Sequence, residues 1–461
     1  MKVIVCGAGQ VGYNIARQLA QEMNDVTVVD RSPELIRRIN DTLDVQAVLG
    51  HGAQPDVLER AGAAEAEMII AVTAGDEVNM VTCQVAHSIF NVPRKVARVR
   101  AQSYLNKKWA NLFSRDHMPI DVIISPEREV AAAIQQRLEV PGAFETVPFA
   151  DNKVRMVGCR LEENCPVVNT PLRQLTELFP DLNIVVSGIW RDGRMLTPSG
   201  DDQMFVGDEI YFASDVGHVQ RALTIFGHEE QEARRLIIVG GGNIGLYLAQ
   251  GIEEAHPNVR TKIIEKNKAR AEYITDFLNT TIVLNGDGVD EDILREANAR
   301  ETETVVAITD DDEVNILAAL LAQRSGVDRS IALINHANYA PLQNSLGINV
   351  FVDPRETTVS TILQHVRRGR IRGLHSIRDG AAEIIEAEAM ETSPLVGTPL
   401  RDIDLPSGVV VGAIMRKDKD AEITIPRGGT IIEAGDRVVL FVLAHRVKKV
   451  EQMVRVGVEF F

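Results

Sequence analysis

The sequence repeats itself at an interval of about 230 residues, and this internal duplication constrains the fold more than any other feature. The run DEVN at 76–79 returns unchanged at 312–315, and the run TPLR at 170–173 returns at 398–401. Because matched runs occur along both halves, the duplication covers the whole chain. The sequence therefore predicts two copies of one architecture, joined in tandem.

The first copy opens with a Gly-x-Gly-x-x-Gly motif between a predicted strand and a predicted helix. The apolar run 2–6 leads into Gly7, Gly9 and Gly12, and a second apolar run ends at Asp30, 18 residues after Gly12. The first glycine permits a tight turn, the second lets a pyrophosphate approach, and the third lets the helix lie close to the sheet. The acid can accept hydrogen bonds from ribose hydroxyls, so this arrangement predicts a dinucleotide site.

The second copy carries the same motif near the middle of the chain. Gly240, Gly242 and Gly245 follow the apolar run 236–239, and Glu265 stands where Asp30 stood. We therefore expect a second nucleotide-binding unit.

The spacing of apolar runs predicts the fold class. Strands and helices alternate six times in the first nucleotide-binding segment, and the second copy begins the series again, which is typical of doubly wound parallel sheets. Beyond residue 142 the first copy shows strands at hairpin spacing, with short helices at 171–178 and 216–226. We expect an α/β protein with two tandem Rossmann-like domains, each followed by a small α+β domain. The predicted strands of the first small domain are 153–161, 184–190, 195–198 and 210–213, and the predicted domains are 1–138, 139–228, 233–366 and 367–461.

Composition excludes several classes of protein. The net charge of −16, without a basic stripe, argues against nucleic-acid binding. No apolar run approaches the roughly 20 residues that span a bilayer, and the first residues lack a signal-peptide pattern, so we expect a cytoplasmic protein. The four cysteines form no Cys-x-x-Cys pair and are expected to be buried free thiols: Cys6, Cys83, Cys159 and Cys165.

Two further groups of residues are candidates for nucleotide contact. Thr73 and Ala74 follow the fourth predicted strand, at the edge where such sheets bind ligands. The neighbouring acids Asp76 and Glu77 fit a nucleotide site and a helix N-terminus equally well. Arg98 and Arg100 alternate on a fifth strand predicted at 96–100, so both should lie on one face and need a phosphate or an acid as partner.

The sequence leaves two other functions open. An NAD-dependent oxidoreductase would need a catalytic acid or base facing the nicotinamide, but no nucleophile–base pair and no clustered metal ligands emerge. We therefore predict no enzyme activity and no metal site. A soluble nucleotide or redox sensor without a membrane partner also fits, because the chain has no membrane contact signal.

The two motif-bearing segments and their small domains resemble the tandem RCK (regulator of potassium conductance) family. The residues that carry the resemblance are 5–12, 29–30, 71–73, 97–100 and 170–172. It implies a peripheral protein on the inner face of the cell membrane, assembled as a homo-oligomeric ring beneath a potassium-translocating subunit of the Trk type. It also implies that NAD(H), or ATP or ADP, binds in the Rossmann-like domains and regulates transport.

The predicted nucleotide-binding residues combine the motifs with this resemblance. They are Gly7, Ala8, Gly9, Gln10, Val11, Gly12, Asp30, Thr73, Ala74, Arg98 and Arg100 in the first copy, and Gly240, Gly241, Gly242, Asn243, Ile244, Gly245 and Glu265 in the second.

The second site departs from the first in charge. Leu333 and Asn335 replace the two arginines, and four acids occupy 310–313. Because a phosphate gains from a guanidinium and loses beside carboxylates, we expect the first site to bind nucleotide more tightly.

Overall fold

The computed structural model describes residues 1–21, 23–179, 181–229, 233–366, 371–378, 380–417 and 422–454. The chain divides into two compact units, and each unit joins equivalent parts of both copies. The Rossmann unit comprises Met1–Ala133 and Leu236–Val366, and the small-domain unit comprises Ile134–Arg235 and Arg367–Phe461. The boundaries of the four domains stay predictions.

The first copy of the Rossmann unit is built on a parallel sheet. Its strands are β1 (Lys2–Cys6), β2 (Asp25–Asp30), β3 (Gln46–Leu49), β4 (Met68–Ala71), β5 (Arg94–Arg98) and β6 (Val122–Ile124). Its helices are α1 (Gln10–Gln21), α2 (Pro33–Thr42), α3 (Pro55–Arg60), α4 (Asp76–Ser88) and α5 (Pro126–Glu139). The strand order β3-β2-β1-β4-β5-β6 reverses direction beside β1, where doubly wound sheets bind ligands.

The first small domain follows as a five-stranded antiparallel sheet. Its strands are β7 (Glu145–Phe149), β8 (Val154–Arg160), β9 (Ile184–Arg191), β10 (Arg194–Leu196) and β11 (Glu209–Asp215), in the order β10-β9-β11-β8-β7. Its helices are α6 (Leu172–Leu178) and α7 (Val219–Ile225). The sequence did not predict β7, which contains Pro148; β7 lies at the edge of its sheet, where proline is tolerated.

The second copy repeats both sheets. Its parallel strands are β12 (Arg235–Val239), β13 (Arg260–Glu265), β14 (Ile282–Asn285), β15 (Thr304–Ala307), β16 (Arg329–Leu333) and β17 (Val350–Val352), in the order β14-β13-β12-β15-β16-β17. The helices of this part are α8 (Asn243–Ala255), α9 (Lys268–Thr275), α10 (Glu291–Glu296), α11 (Asp312–Arg324), α12 (Gln343–Leu346) and α13 (Pro354–Val366).

The second small domain completes the chain. Its strands are β18 (Ile371–Ile377), β19 (Ala382–Glu388), β20 (Val409–Met415), β21 (Ile423–Thr424) and β22 (Arg437–Leu443), in the order β18-β19-β22-β20-β21, and its helix is α14 (Val447–Val454). The predicted fold class, two Rossmann-like domains each followed by a small α+β domain, is confirmed.

Burial explains why the opening run forms a central strand. Val3, Ile4 and Val5 in β1 are at most 1% exposed, and burying each such side chain contributes roughly 1.5–3 kcal/mol. None of the four cysteines forms a disulfide in the described part of the chain, and all four are buried, as expected. Burial raises the pKa of the Cys83 thiol to about 12, so this thiol stays protonated at neutral pH.

The two copies in the Rossmann unit meet through their last helices. Helix α13, which ends the second copy, packs against α1 and β6 of the first. The hydroxyl of Thr361 in α13 donates a hydrogen bond of 3.3 Å to the Glu129 carboxylate in α5. The Arg128 guanidinium in α5 lies 5.0 Å from the ring centre of Tyr247 in α8. Each copy thus contributes a helix to contacts with the other.

Candidate functional site

The first glycine-rich loop joins β1 to α1, and its three glycines have different surroundings. Gly7 has a φ of +113°, and a Cβ there would lie 2.9 Å from the backbone nitrogen of Thr73. A Cβ at Gly12 would lie 1.8 Å from the carbonyl oxygen of Gly7, whereas one at Gly9 would meet nothing within 4 Å. The fold therefore requires Gly7 and Gly12, and the surface at Gly9 is open. Gln10, Val11 and Gly12 form the first turn of α1, whose N–H groups face this loop.

Asp30, the last residue of β2, holds the loop in place. Its carboxylate accepts hydrogen bonds from the backbone N–H of Ala8 at 2.6 Å and of Ser32 at 2.8 Å. Each carboxylate oxygen has further lone pairs, so the group can also accept bonds from ribose hydroxyls.

Thr73 lies beside the loop, just beyond β4. The amide of Asn79, which is fully buried, accepts hydrogen bonds from the Thr73 N–H and hydroxyl at 2.8 and 2.7 Å, and it donates to the Arg98 carbonyl at 2.9 Å. Ala74 is exposed next to it. Asp76 accepts hydrogen bonds from the N–H groups of Arg100 and Ala101, so its carboxylate is engaged with the backbone.

The two arginines do not share one face of a strand, and that prediction was wrong. Strand β5 ends at Arg98, and beyond it the Asp76 carboxylate accepts hydrogen bonds from the N–H groups of Arg100 and Ala101. Arg100 lies beyond the strand, is 57% exposed, and pairs through Nε with the Glu127 carboxylate at 2.8 Å.

Arg98 is the arginine that lies against the loop region. One of its terminal nitrogens donates to the Thr73 carbonyl at 2.8 Å, while its Nε is buried and has no hydrogen-bond partner among the described residues. Burial lowers the pKa of Arg98, and the charge of Arg100 lowers it further.

The second glycine-rich loop, between β12 and α8, reproduces this backbone geometry. Gly240 has a φ of +111°, a Cβ at Gly245 would lie 2.1 Å from the Gly240 carbonyl oxygen, and a Cβ at Gly242 would meet nothing within 4 Å. The Glu265 carboxylate accepts from the N–H groups of Gly241 and Asn267, both at 2.7 Å.

A residue that the sequence comparison missed lies across the second loop. Arg270, in the first turn of α9, donates from Nε to the Gly241 carbonyl at 2.7 Å and from a terminal nitrogen to Asn243 at 3.0 Å. Its guanidinium lies 5.1 Å from the ring centre of Tyr273. The first copy has Leu35 at this position. The available signal was a charged residue in the first turn of the helix that follows Glu265.

Two acids of the run 310–313 accept hydrogen bonds from backbone N–H groups at the start of α11 and after β16. Asp311 caps the helix by accepting from the Val314 N–H at 2.9 Å. Asp312 is buried and accepts from the N–H groups of Asn335 and His336, both at 2.8 Å. Burial alone would raise the pKa of Asp312, but these hydrogen bonds outweigh it and hold the pKa below its usual value. In the part of the chain that the structure describes, no cluster of three or more potential ligands is placed to hold a metal.

The fold and these loops define a class of protein: tandem Rossmann-like domains, each followed by a small α+β domain. Family models match in the same order, with the TrkA-N domain at residues 3–126 and 236–354 and the TrkA-C domain at 156–227 and 384–455. The chain belongs to the family of the Trk system potassium uptake proteins TrkA.

Curated relatives match the chain from end to end. The Trk system potassium uptake protein TrkA of Azorhizobium caulinodans is 54% identical over 461 residues, which cover 100% of both chains. The protein of the same name from Halomonas elongata is 40% identical over 465 residues, again covering 100% of both.

Solved structures share the fold at low identity. The GsuK RCK domain is 17% identical with a TM-score of 0.59, covering 98% of this chain and 94% of that one. The GsuK channel bound to NAD gives the same identity and TM-score, covering 98% of this chain and 78% of that one. Among the described residues of this chain, no helix has the length and apolar character needed to cross a membrane.

Proposed function

We propose that this protein is a peripheral regulatory subunit of a Trk-type potassium uptake system, and that NAD(H) or an adenine nucleotide binds in both glycine-rich loops to control transport. The observation that carries the proposal is the paired geometry at Gly9 and Gly242. Each lies on an open surface, at the start of a helix, beside a loop held by an acid at the end of the neighbouring strand.

The chemistry of both loops supports a phosphate-containing ligand. A helix N-terminus presents unpaired N–H groups and a partial positive charge. At the first loop, the buried Nε–H of Arg98 has no partner among the described residues, and a phosphate oxygen could satisfy it. Asp30 and Glu265 would accept bonds from the ribose hydroxyls, and their charge would disfavour a 2′-phosphate, so we expect NAD to bind more tightly than NADP.

Family membership supports the link to potassium uptake and favours regulation over a dehydrogenase. A membrane subunit as partner, a ring of several copies, and a place on the inner face of the membrane are further parts of the proposal. A ring with two states that bind nucleotide differently would couple occupancy to transport, and couplings of about 1–3 kcal/mol suffice for a several-fold to hundredfold shift.

Membrane vesicles that contain a Trk-type potassium-translocating subunit provide the test. The purified chain should sediment with these vesicles but not with vesicles lacking the subunit. Added NADH, NAD or ATP should then change the rate of potassium uptake.

The variant Gly9→Val should still sediment but should lose the response to nucleotide that the first site mediates. Gly429→Val is the matched control, because a Cβ at Gly429 also meets nothing within 4 Å and this glycine lies in the small-domain unit. If nucleotide binds the chain while sedimentation and uptake stay unchanged, the protein is a soluble sensor and the regulatory role is wrong.

A further inference from the structure

Two ion pairs and one histidine–carboxylate contact in the described part of the small-domain unit cross from the first small domain to the second. Glu145 pairs with His375 at 2.7 Å, Asp151 pairs with Arg437 at 2.6 Å, and Glu209 pairs with Arg378. In all three the carboxylate comes from the first small domain, and in the two arginine pairs the cation comes from the second. The duplicated domains therefore meet through faces of opposite charge.

The central residues of this contact occupy the same position in the two copies. Glu209 begins β11 and Arg437 begins β22, and each directly follows a Gly-Asp pair, at 207–208 and 435–436. The residues opposite them in the adjacent strands also have opposite charges in the two copies. Arg160 pairs with Glu209 at 2.8 Å, whereas Glu388 lies in register with Arg437.

The loop after the first strand of each small domain, which contacts the other domain, also differs between the two copies. Arg378 follows β18 with a φ of +49°, and the equivalent residue after β7 is Ala150, with a φ of +50°. The acid after Ala150, Asp151, is repeated in the sequence as Asp379. The two small domains therefore differ in charge at two equivalent positions: Glu209 corresponds to Arg437, and Ala150 corresponds to Arg378.

These substitutions make pairing of like domains unfavourable. Two first small domains would set Glu209, which is 7% exposed, against Ala150, which offers no cation. Two second small domains would set Arg437 against Arg378. In such pairs Glu209 would keep only Arg160 of its own domain and would lose the cation of Arg378, while Arg437 would keep Glu386 of its own domain but face a like charge. Buried charges that lose a partner or lie beside a like charge are costly, and such contacts select against wrong partners.

Shape gives an independent argument in the same direction. A Cβ at Gly188 would lie 2.4 Å from the ring of Phe441, which packs against this glycine. Gly188 pairs with Tyr211 in the first small domain, and Ala413 pairs with Val439 in the second. Because Tyr211 and Val439 are equivalent, Ala413 is the residue of the second domain that corresponds to Gly188. Two second small domains would therefore bring Phe441 against the methyl group of Ala413. Two first small domains would place Ala213, the equivalent of Phe441, opposite Gly188 and leave a void.

We propose that the exchanged charges at 209 and 437, together with the Phe441–Gly188 contact, make each small domain selective for a domain of the other type. The contact then holds the two halves of one chain together and prevents first small domains of different chains from pairing. This inference concerns the small-domain unit and does not depend on nucleotide binding.

Charge reversal in the full chain tests the proposal. Glu209→Arg and Arg378→Glu each place like charges together and should lower the unfolding temperature by about 5–15 °C. The double variant restores an opposite pair at an unchanged net charge of −16. It should recover part of the loss, because the new guanidinium at position 209 still lies beside Arg160. The control is the exposed pair of Arg173 and Asp201, whose side chains are 64% and 78% exposed and whose reversal should have little effect.

Light scattering reads out the selectivity itself. In Glu209→Arg, the reversed position would be matched by Asp151 of another chain, so the mass should exceed that of the wild type at equal concentration and return in the double variant. An unchanged mass in the single variant would show that the ion pair stabilises without selecting, which overturns the proposal. If the reversals prevent folding, Glu209→Gln and Arg378→Gln replace them, and a coupling no larger than that of the control pair also overturns it.

Discussion

The two glycine-rich loops share one backbone and differ in their side chains. Gly7 and Gly240 have φ values of +113° and +111°, and an acid holds each loop through a backbone N–H. The guanidinium, however, comes from β5 in the first site and from α9 in the second. Duplication has preserved the geometry that the fold requires, while the groups that would contact a ligand have diverged.

The states of the two arginines predict which site binds more tightly. Arg98 keeps a buried Nε–H without a partner among the described residues, so a phosphate oxygen that reached it would supply a hydrogen bond that the protein does not. Arg270 already donates to the Gly241 carbonyl and to Asn243, so a ligand would have to compete for it. We therefore expect the first site to be stronger.

The largest expected effect separates the glycines that the fold needs from those that a ligand needs. Gly12→Val and Gly245→Val would drive a side chain into the carbonyl oxygen of Gly7 or Gly240. Each should destabilise its Rossmann-like domain by about 3 kcal/mol or more. Thermal unfolding of the full chain measures this, with Gly9→Val and Gly242→Val as controls that should unfold like the wild type. Equal losses of stability in all four variants would show that a side chain is no better tolerated at Gly9 and Gly242 than at Gly12 and Gly245.

The next largest effect is expected on nucleotide binding when each arginine is replaced by the residue at the equivalent position of the other copy. Arg98→Leu should weaken nucleotide binding at the first site by about 1.5–3 kcal/mol, because a charge-assisted hydrogen bond is lost. Arg270→Leu should weaken the second site by less, since Arg270 is already engaged by the protein. Calorimetric titrations with NADH at low and high salt measure both. The control Arg100→Asn should change little, because Arg100 is exposed and paired with Glu127; a larger loss there than in Arg98→Leu would refute the assignment.

A smaller effect should follow from exchanging the acids. Asp30→Glu and Glu265→Asp each place a carboxylate that the other loop already accommodates, and affinity for NAD should change only a few-fold. Asp30→Ala should cost about 1.5–3 kcal/mol in binding, and it should also lower stability because Ala8 and Ser32 lose their acceptor. Titrations with NAD and NADP compare the variants. Tighter binding of NADP than of NAD by the wild type would count against this placement of Asp30.

The smallest effect is a difference in acid stability between the copies. Burial would raise the pKa of Glu253, but hydrogen bonds from the backbone of Asn279, Thr280 and Thr281 lower it to about 2. Since the folded pKa lies below the unfolded value, its contribution is complete above about pH 4.5 and is lost as the pH falls toward 2. The first copy has Ala20 at this position.

Unfolding as a function of pH measures this contribution. Glu253→Gln should lower stability by about 1 kcal/mol at neutral pH, and the difference from wild type should vanish in acid. The exposed neighbour Glu254 gives the matched control, Glu254→Gln. A difference that persists unchanged at pH 2 would show that the carboxylate charge is not responsible.

The sequence predicted what depends on local pattern. The run from β1 through the glycines to Asp30 was recognisable because strand, turn and helix are adjacent in the chain, and the doubly wound parallel sheet was predicted from the alternation of strands and helices. Strand β7 was missed because Pro148 interrupts it, and only its place at a sheet edge makes that tolerable.

Contacts between residues far apart in the chain could not be predicted from the sequence pattern. Arg100 looked like a strand residue because its alternation with Arg98 is local, while the Asp76 carboxylate that binds the Arg100 N–H comes from the start of α4. Arg270 is distant in sequence from the loop that it crosses. The assembly of equivalent parts of both copies into common units depends on surfaces such as that around Glu209 and Arg378, which no periodicity reveals.

Calorimetric titration of the full chain with NADH tests the central claim, that there are two nucleotide sites of unequal strength. The wild type should show two binding events of different affinity. Gly9→Val should remove the tighter event and Gly242→Val the weaker one, while both variants keep the unfolding temperature of the wild type. A single event that survives both substitutions would contradict the account.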